Sequence, residues 1–311
     1  MARVFVTREL PGGALDRLRT EHEVDVWPGR LPPSRGDLRE RAREVEALLS
    51  LLTDEVDAEL IAGCPRLRAI ANYAVGVDNV DVAGATERRI PVGNTPGVLT
   101  ESTADVTLAL ILALMRRLPA ASAAVDAGEW LTWEPAFLLG RDLHEATVGI
   151  VGPGRIGTAV GRRLEGFGAR VTWAGRDDDL RPLLEQSDVV TLHCPLTEST
   201  RGLIGEAELR AMKPTAYLVN AARGPLVDTA ALRRAVAEGW IAGAALDVTD
   251  PEPLPSEHPL LELPQVLVVP HIASATHRTR GAMADIAVDN LLAALRGERM
   301  PHCVNPHVYG G

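Results

Sequence analysis

Lysine is almost missing from this chain. Lys213 is the only one, and the rest of the 32 basic residues are arginine, a compositional bias to which no function attaches. Cysteine is nearly as scarce: Cys64, Cys194 and Cys303 are three, odd in number and far apart. They offer neither metal-ligand spacing nor a disulfide framework, and so fit a reducing, cytoplasmic compartment. Long apolar runs are lacking too. The longest, Val106–Met115, is too short to span a bilayer, and the opening MARVFVTREL has no signal-peptide core. No membrane partner is expected. Basic charge is in deficit, with a net charge of −10, which argues against a nucleic-acid partner, since such surfaces are basic. What remains is ordinary for a globular protein: 311 residues, 46% hydrophobic and 24% charged, long enough for two domains with separate cores.

Short apolar runs alternate with helical stretches from the start. Val4–Thr7, Val24–Trp27, Ala47–Leu52, Leu67–Asn72 and Ile90–Gly93 read as strands, with helices over Pro11–Leu18 and near Asp37–Arg43. This alternation means a parallel, doubly wound sheet. No βα turn in this first unit carries a phosphate fingerprint. Thr100–Arg117 is a long helix, apolar on more than one face and expected to be buried, with a second helix over Pro119–Ala127. The stretch GEWLTWEPAFLLGRDLHEAT that follows has no period of either kind. A loop this long is usually functional or lies in an interface.

The most informative stretch is Thr147–Gly157, TVGIVGPGRIG. A buried-strand run, Val148–Val151, is followed by Gly152, Gly154 and Gly157 as G-x-G-x-x-G. Ile156–Phe167 then places Ile156, Val160, Leu164 and Phe167 on one helical face. Strand, glycine turn and helix in that order are what the dinucleotide fingerprint requires. Gly152 permits the turn, Gly154 lets a pyrophosphate approach the backbone, and Gly157 lets helix and strand pack. The helix start offers unpaired N–H groups and a positive dipole end. Pro153 removes one N–H, so the pyrophosphate contacts fall to Arg155 and Ile156. Further strands at Arg170–Ala174, Val189–His193, Ala216–Asn220, Ala242–Asp247 and Val266–Val269 complete a six-strand sheet of Rossmann type, and helix Thr276–Arg296 closes the chain.

Ligands in such sheets lie outside the carboxyl ends of the strands. Three residues stand there: Arg223 after Ala216–Asn220, Glu252 between two prolines after Ala242–Asp247, and His271 after Val266–Val269. Singly they read as a surface arginine, a turn glutamate and a core histidine. Together they read as a carboxylate anchor, an orienting carboxylate and a proton donor. Glu252 beside His271 would favour the imidazolium and fix its tautomer, and a protonated histidine is what reduction of a carbonyl requires.

In these residues the chain resembles the D-isomer-specific 2-hydroxyacid dehydrogenases, most of all their glyoxylate and hydroxypyruvate reductases. The resemblance is carried by NYAVGVDNVD at 72–81, NTPGVLTESTAD at 94–105, VGPGRIG at 151–157, HCPLTEST at 193–200, NAARGPLVD at 220–228, LDVTDPEP at 246–253 and PHIASATHRTR at 270–280. It implies two doubly wound parallel-sheet α/β domains. A flavodoxin-like substrate domain comprises residues 1–99 and 275–311, and an inserted Rossmann domain comprises residues 100–274, with dimerisation helices and arm at 100–146. It implies that Arg223 binds the substrate carboxylate and keto oxygen, that His271 protonates the carbonyl oxygen as hydride arrives, and that Glu252 supports His271. The backbone at Val75 and Gly76 would hold the carboxylate from the other domain, with Leu52 and Val75 forming a small apolar pocket. Trp130 and Trp133 of the arm are similar to aromatic residues that reach toward a neighbouring subunit's site in a homodimer. The cofactor contacts implied are Gly152, Gly154, Arg155, Ile156, Gly157, Gly175, Arg176, Cys194, Pro195, Thr200, Ala221, Asp247 and Ser274, with Asp247 at the nicotinamide carboxamide and Cys194–Leu196 as the adenine wall.

NAD enzymes of this kind place an acidic residue at the end of the second strand, for the ribose 2′-hydroxyl. Here that position is Gly175, followed by Arg176, an arginine that can pair with a 2′-phosphate. NADP(H) is therefore preferred, with NAD(H) possible. The run Asp177–Asp179 complicates this, because one of the three could fold back to the ribose, but it reads better as a solvated helix start. The expected reaction is NADPH-dependent reduction of glyoxylate or hydroxypyruvate. D-lactate-type and phosphoglycerate-type dehydrogenases remain alternatives, as does a cofactor-sensing corepressor-like binding protein, because fold alone does not decide activity.

Overall fold

The computed structural model describes residues 1–310. The chain divides into two compact units, Met1–Leu99 together with the residues from Thr276 onward, and Thr100–Ala275. The second boundary lies one residue later than residue 274.

The first unit carries β1 (Arg3–Val6), α1 (Ala14–Glu21), β2 (Glu23–Val26), α2 (Arg35–Ala42), β3 (Ala47–Ser50), α3 (Ala58–Gly63), β4 (Ala69–Asn72), α4 (Val82–Glu87) and β5 (Val92–Gly93). Its five strands are all parallel in the order β2-β1-β3-β4-β5. Strand side chains alternate between two cores. Val4, Val6, Leu49 and Ala71 face one, against Leu15, Leu18 and the final helix α11 (His277–Leu295). Phe5, Leu48 and Ile70 face the other, against Leu38, Leu60 and Ile61. Burial on both faces is why these strands read as continuous apolar runs. The first helix begins three residues later than its sequence pattern, because Gly12 (φ 87°) bends the chain before it. The short helices α3 and α4 leave no periodic signal. Each is started by an aspartate, Asp57 accepting from Leu60 N and Asp81 from Gly84 N.

The second unit opens with α5 (Thr100–Met115) and α6 (Leu118–Asp126). Residues 127–146 then form no helix or strand. Trp130, Leu131, Trp133 and Leu139 of this arm are 64%, 85%, 80% and 66% exposed. After the arm come β6 (Thr147–Val151), α7 (Arg155–Gly166), β7 (Arg170–Ala174), α8 (Arg181–Gln186), β8 (Val189–Leu192), α9 (Glu206–Ala211), β9 (Tyr217–Asn220), α10 (Thr229–Ala237), β10 (Gly243–Leu246) and β11 (Val266–Val268). The six strands run parallel in the order β11-β10-β9-β8-β6-β7. In α5, Ala104, Ile111 and Met115 pack on Ile150, Val160 and Leu164, as its apolar composition requires. In both sheets winding reverses beside the first strand, between β1 and β3 and between β6 and β8. Such switch points open the crevice that ligands of doubly wound sheets occupy. Among the described residues no single helix is long and apolar enough to cross a membrane.

Candidate active site

The fingerprint turn sits at the β6/β8 switch point. Gly152 has φ 102°, a conformation L side chains rarely adopt, and its N–H donates to Ala174 O at the end of β7 (2.9 Å). A Cβ there would lie 2.6 Å from Cys194 N, so the turn is pressed against the chain leaving β8. A Cβ at Gly157 would collide with Gly152 O, whereas one at Gly154 would meet nothing within 4 Å. The middle glycine thus faces open space. Gly154 supplies no side-chain cap to α7, so the first-turn N–H groups, those of Arg155 and Ile156 among them, have no intrahelical partner. This cradle fits an anionic pyrophosphate, which would be held by Arg155, Ile156 and the helix dipole.

At the end of β7 the structure corrects the reading of the aspartate run. Asp178 is not simply solvated: its carboxylate folds back and accepts from Gly175 N (2.7 Å). Asp179 accepts from Arg181 N (3.0 Å), and α8 starts only there. A negative charge therefore stands beside Gly175 even though residue 175 itself has none. Arg176 is exposed.

Of the residues after β8, Cys194 is half-buried, and burial pushes its thiol pKa up, which keeps it inert. Pro195 is exposed. The Thr200 hydroxyl is engaged inside its own loop, donating to Pro195 O (2.8 Å) and accepting from Thr197 N (2.8 Å). His193, at the head of HCPLTEST, bonds Thr191 Oγ1 through Nε2 (3.0 Å), and burial pushes its pKa down to about 4.

The Arg, Glu and His loops are joined by polar and steric constraints. Asn220, wholly buried at the end of β9, accepts from Ala222 N (3.1 Å) and donates to Arg223 O (2.8 Å). This shapes the turn that carries buried Ala221 and half-buried Arg223. Gly224 comes next, and a Cβ there would collide with the Thr249 carbonyl and lie 2.8 Å from Asp250 N. The loop after β9 thus lies directly on the loop that carries Glu252. That second loop is braced by Thr229 Oγ1 donating to Asp250 O (2.9 Å) and Thr249 Oγ1 donating to Pro251 O (2.8 Å).

Glu252 Oε1 is 2.6 Å from His271 Nδ1, and its Oε2 accepts from Thr249 N (3.3 Å). This is the pairing expected from the two strand ends. How His271 is held leaves no signal in the sequence. It has φ 51°, a left-handed conformation costing on the order of 1–3 kcal/mol for a non-glycine residue. Asp247, 1% exposed at the end of β10, holds it there. Asp247 O accepts from His271 N (2.9 Å), and its side chain accepts from Ile272 N (2.7 Å) and Ala273 N (3.0 Å). Burial pushes the Asp247 carboxyl pKa up, against the opposing pull of those amide bonds. Both its oxygens are therefore already engaged in shaping the His271 turn. Ser274 is half-buried just beyond.

Leu52, Val75 and Gly76 belong to the first unit. Leu52 is 37% exposed after β3, and Val75 and Gly76 are half-buried after β4. Among the described residues no group of three or more His, Cys, Asp or Glu is placed to hold a metal ion.

Residues 108–273 match the family model for the D-isomer specific 2-hydroxyacid dehydrogenase NAD binding domain. The glyoxylate reductase of Korarchaeum cryptofilum is 50% identical over 98% of this chain and 96% of its own. A crystal structure of a Thermus thermophilus protein superimposes with a TM-score of 0.93 at 48% identity, covering 97% of this chain and 99% of that one. An NADPH-dependent glyoxylate/hydroxypyruvate reductase from Sinorhizobium meliloti, solved with NADP and malonate, superimposes with a TM-score of 0.87 at 36% identity over 98% of each chain. The chain belongs to the D-isomer specific 2-hydroxyacid dehydrogenases, and it is an oxidoreductase that works with a nicotinamide cofactor.

Proposed function

We propose that the protein reduces a short 2-keto acid with NADPH, converting glyoxylate to glycolate or hydroxypyruvate to D-glycerate. The observation that carries this reading is the His271–Glu252 pair, 2.6 Å apart, on the loop bed shared with Arg223. Arg223 is the anchor, its planar guanidinium suited to a carboxylate and the adjacent keto oxygen. His271 is the acid. With Nδ1 turned to Glu252, protonated His271 delivers the Nε2 proton to the carbonyl oxygen, and Glu252 stabilises the imidazolium until it does. The nicotinamide, when bound, supplies the hydride that C2 receives. The product hydroxyl thus carries one proton from His271, and C2 carries the hydride. Val75 and Gly76 offer backbone N–H groups to the substrate carboxylate, and Leu52 and Val75 bound a pocket sized for short acids. Gly152, Gly154, Arg155, Ile156, Gly157, Gly175, Arg176, Cys194, Pro195, Thr200, Ala221, Asp247 and Ser274 make up the cofactor surface. Similarity to glyoxylate reductases over nearly the whole chain supports the substrate class.

NADPH preference is a contest at one strand end. Gly175 leaves room for a 2′-phosphate and Arg176 can pair with it, whereas Asp178, bonded to Gly175 N, opposes it. Steady-state rates with glyoxylate, hydroxypyruvate, pyruvate and bulkier 2-keto acids, each with NADPH and NADH, test substrate and cofactor together. We expect higher kcat/KM for NADPH with the two smallest hydroxylated or aldehydic acids. Arg176→Ala should cut kcat/KM for NADPH selectively by about tenfold or more, the worth of one charge-assisted pair. Asp178→Ala should shift the ratio the other way. Equal use of both cofactors by the unmutated enzyme would sink the preference, and cofactor binding without turnover across the panel would favour a sensor over an enzyme.

The arm at 127–146 supports a homodimer. Trp130, Leu131, Trp133 and Leu139 lie open on a single chain, the kind of apolar surface that marks an interface, and in this reading Trp133 approaches the neighbouring subunit's site. Light scattering should give twice the chain mass, and Trp133→Asp with Leu131→Asp should reduce it to one.

A further inference from the structure

We propose that a chain of asparagine side chains, Asn94 on one flank and Asn72 with Asn79 on the other, sets the direction of the N–H groups that receive the substrate carboxylate. The inference rests on the reading that the Val75–Gly76 loop is that carboxylate site. Three successive carbonyls of the loop are taken. Ala74 O accepts from Thr95 N (2.9 Å), Val75 O from Asn94 Nδ2 (2.8 Å), and Gly76 O from Asn72 Nδ2 (3.0 Å). These peptides are trans, since the cis bonds of the described chain are Asp250–Pro251 and Glu252–Pro253. In a planar trans peptide the N–H points opposite to the C=O. Holding those carbonyls therefore turns the N–H groups of Val75, Gly76 and Val77 away from the asparagines. None of the three donates to another described residue of its own unit. Successive backbone N–H groups with no internal acceptor form an anion-binding concavity.

The asparagines are themselves keyed. Asn79 Nδ2 donates to Leu51 O (2.9 Å) and Asp54 O (2.8 Å), so its amide has one workable orientation. Its Oδ1 then accepts from Asn72 Nδ2 (2.9 Å), which leaves Asn72 Oδ1 to accept from Ser50 Oγ (3.0 Å). Asp54 closes the set, its buried carboxylate taking Leu51 N (2.7 Å) and the Thr7 hydroxyl. Asn94 is fixed through its backbone, which donates to His302 O (3.1 Å) and accepts from Asn290 Nδ2 (3.0 Å). The ends of β1, β3 and β4 are thereby locked to one loop. Neutral amides suit the task, because each must donate to a carbonyl without placing charge beside an incoming carboxylate. Asn72, Asn79 and Asn94 are positioning residues that act through the backbone.

The test uses the full-length enzyme loaded with NADPH and oxamate, an unreactive carboxylate-bearing mimic of a short 2-keto acid. Asn94→Ala removes the donor to Val75 O without adding charge beside the carboxylate, and Asn79→Ala, at the far end of the asparagine chain, serves if the first variant does not fold. Calorimetric Kd for oxamate and KM for glyoxylate should rise together by about tenfold or more. The NADPH Kd should stay within about twofold, and kcat should change less than KM. A loss of thermal stability or of kcat with oxamate Kd and KM unchanged would overturn the clamp and leave only a structural role. Wild-type enzyme that binds NADPH yet no oxamate would overturn the carboxylate-site reading and the clamp with it, whereas tight oxamate binding by wild type and variants alike would overturn the clamp alone.

Discussion

Replacing His271 by alanine is expected to lower kcat for keto-acid reduction by roughly three orders of magnitude, within the 10²–10⁴ range of a positioned general acid. NADPH affinity, read by fluorescence titration, should stay nearly constant. The asymmetry follows from the geometry. The His271 side chain meets Glu252 (2.6 Å), while the turn around it is held by backbone groups on Asp247 that an alanine keeps. Alanine also gains no relief from the left-handed φ of 51°, since it too carries a Cβ. Thermal stability should therefore change by less than activity does. Retention of kcat would remove His271 from the acid role. A drop in kcat matched by an equal loss of NADPH binding would assign it to cofactor binding instead.

Gly224→Ala should be nearly as damaging, although no side chain there takes part in chemistry. A Cβ at this position collides with the Thr249 carbonyl and presses on Asp250 N (2.8 Å), and backbone cannot swing aside as a flexible side chain would. The loop carrying Arg223 must then lift from the loop carrying Glu252. Misplacement of a catalytic group by about 1 Å costs on the order of 10²-fold, and overpacking costs about 1–3 kcal/mol of stability. We expect kcat/KM for glyoxylate to fall by about 10²-fold, with a lowered Tm. Gly166→Ala is the control, because a Cβ at that helix end meets nothing within 4 Å. If Gly224→Ala matched the control in rate, the contact between the two loops would carry no functional weight.

Much of the molecule is legible in the sequence because the signals are local. The fingerprint needs only a strand, three glycines and a helix in one short stretch, and β6 and α7 fall within a residue of their patterns. The strand-end places of Arg223, Glu252 and His271 follow from counting strands, since all six are parallel and present the same end. The short helices α3 and α4 escape such reading, for their aspartate caps do the work that periodicity does elsewhere. The arm has no period in the sequence and forms neither helix nor strand in the fold, and its exposed tryptophans find no cover in one chain.

The dinucleotide turn, the alternation of strand and helix, the apolar both-sided strands and the order of the three strand-end residues are determined by the sequence alone, because each depends on neighbours a few positions apart. The tertiary structure alone decided that Asp178 returns to Gly175 and that Gly224 is pressed on Thr249. It also decided that Asp247 forces His271 into a left-handed turn, and that Asn72, Asn79 and Asn94 take the carbonyls of one loop and the chain beside it. Apart from the short returns of Asp178 to Gly175 and of Asn72 to Gly76, the groups that meet in these contacts lie on different loops at the carboxyl ends of the strands. A hydrogen bond or a steric contact acts only within a few ångströms, so these partners exist only once the sheets bring those ends together.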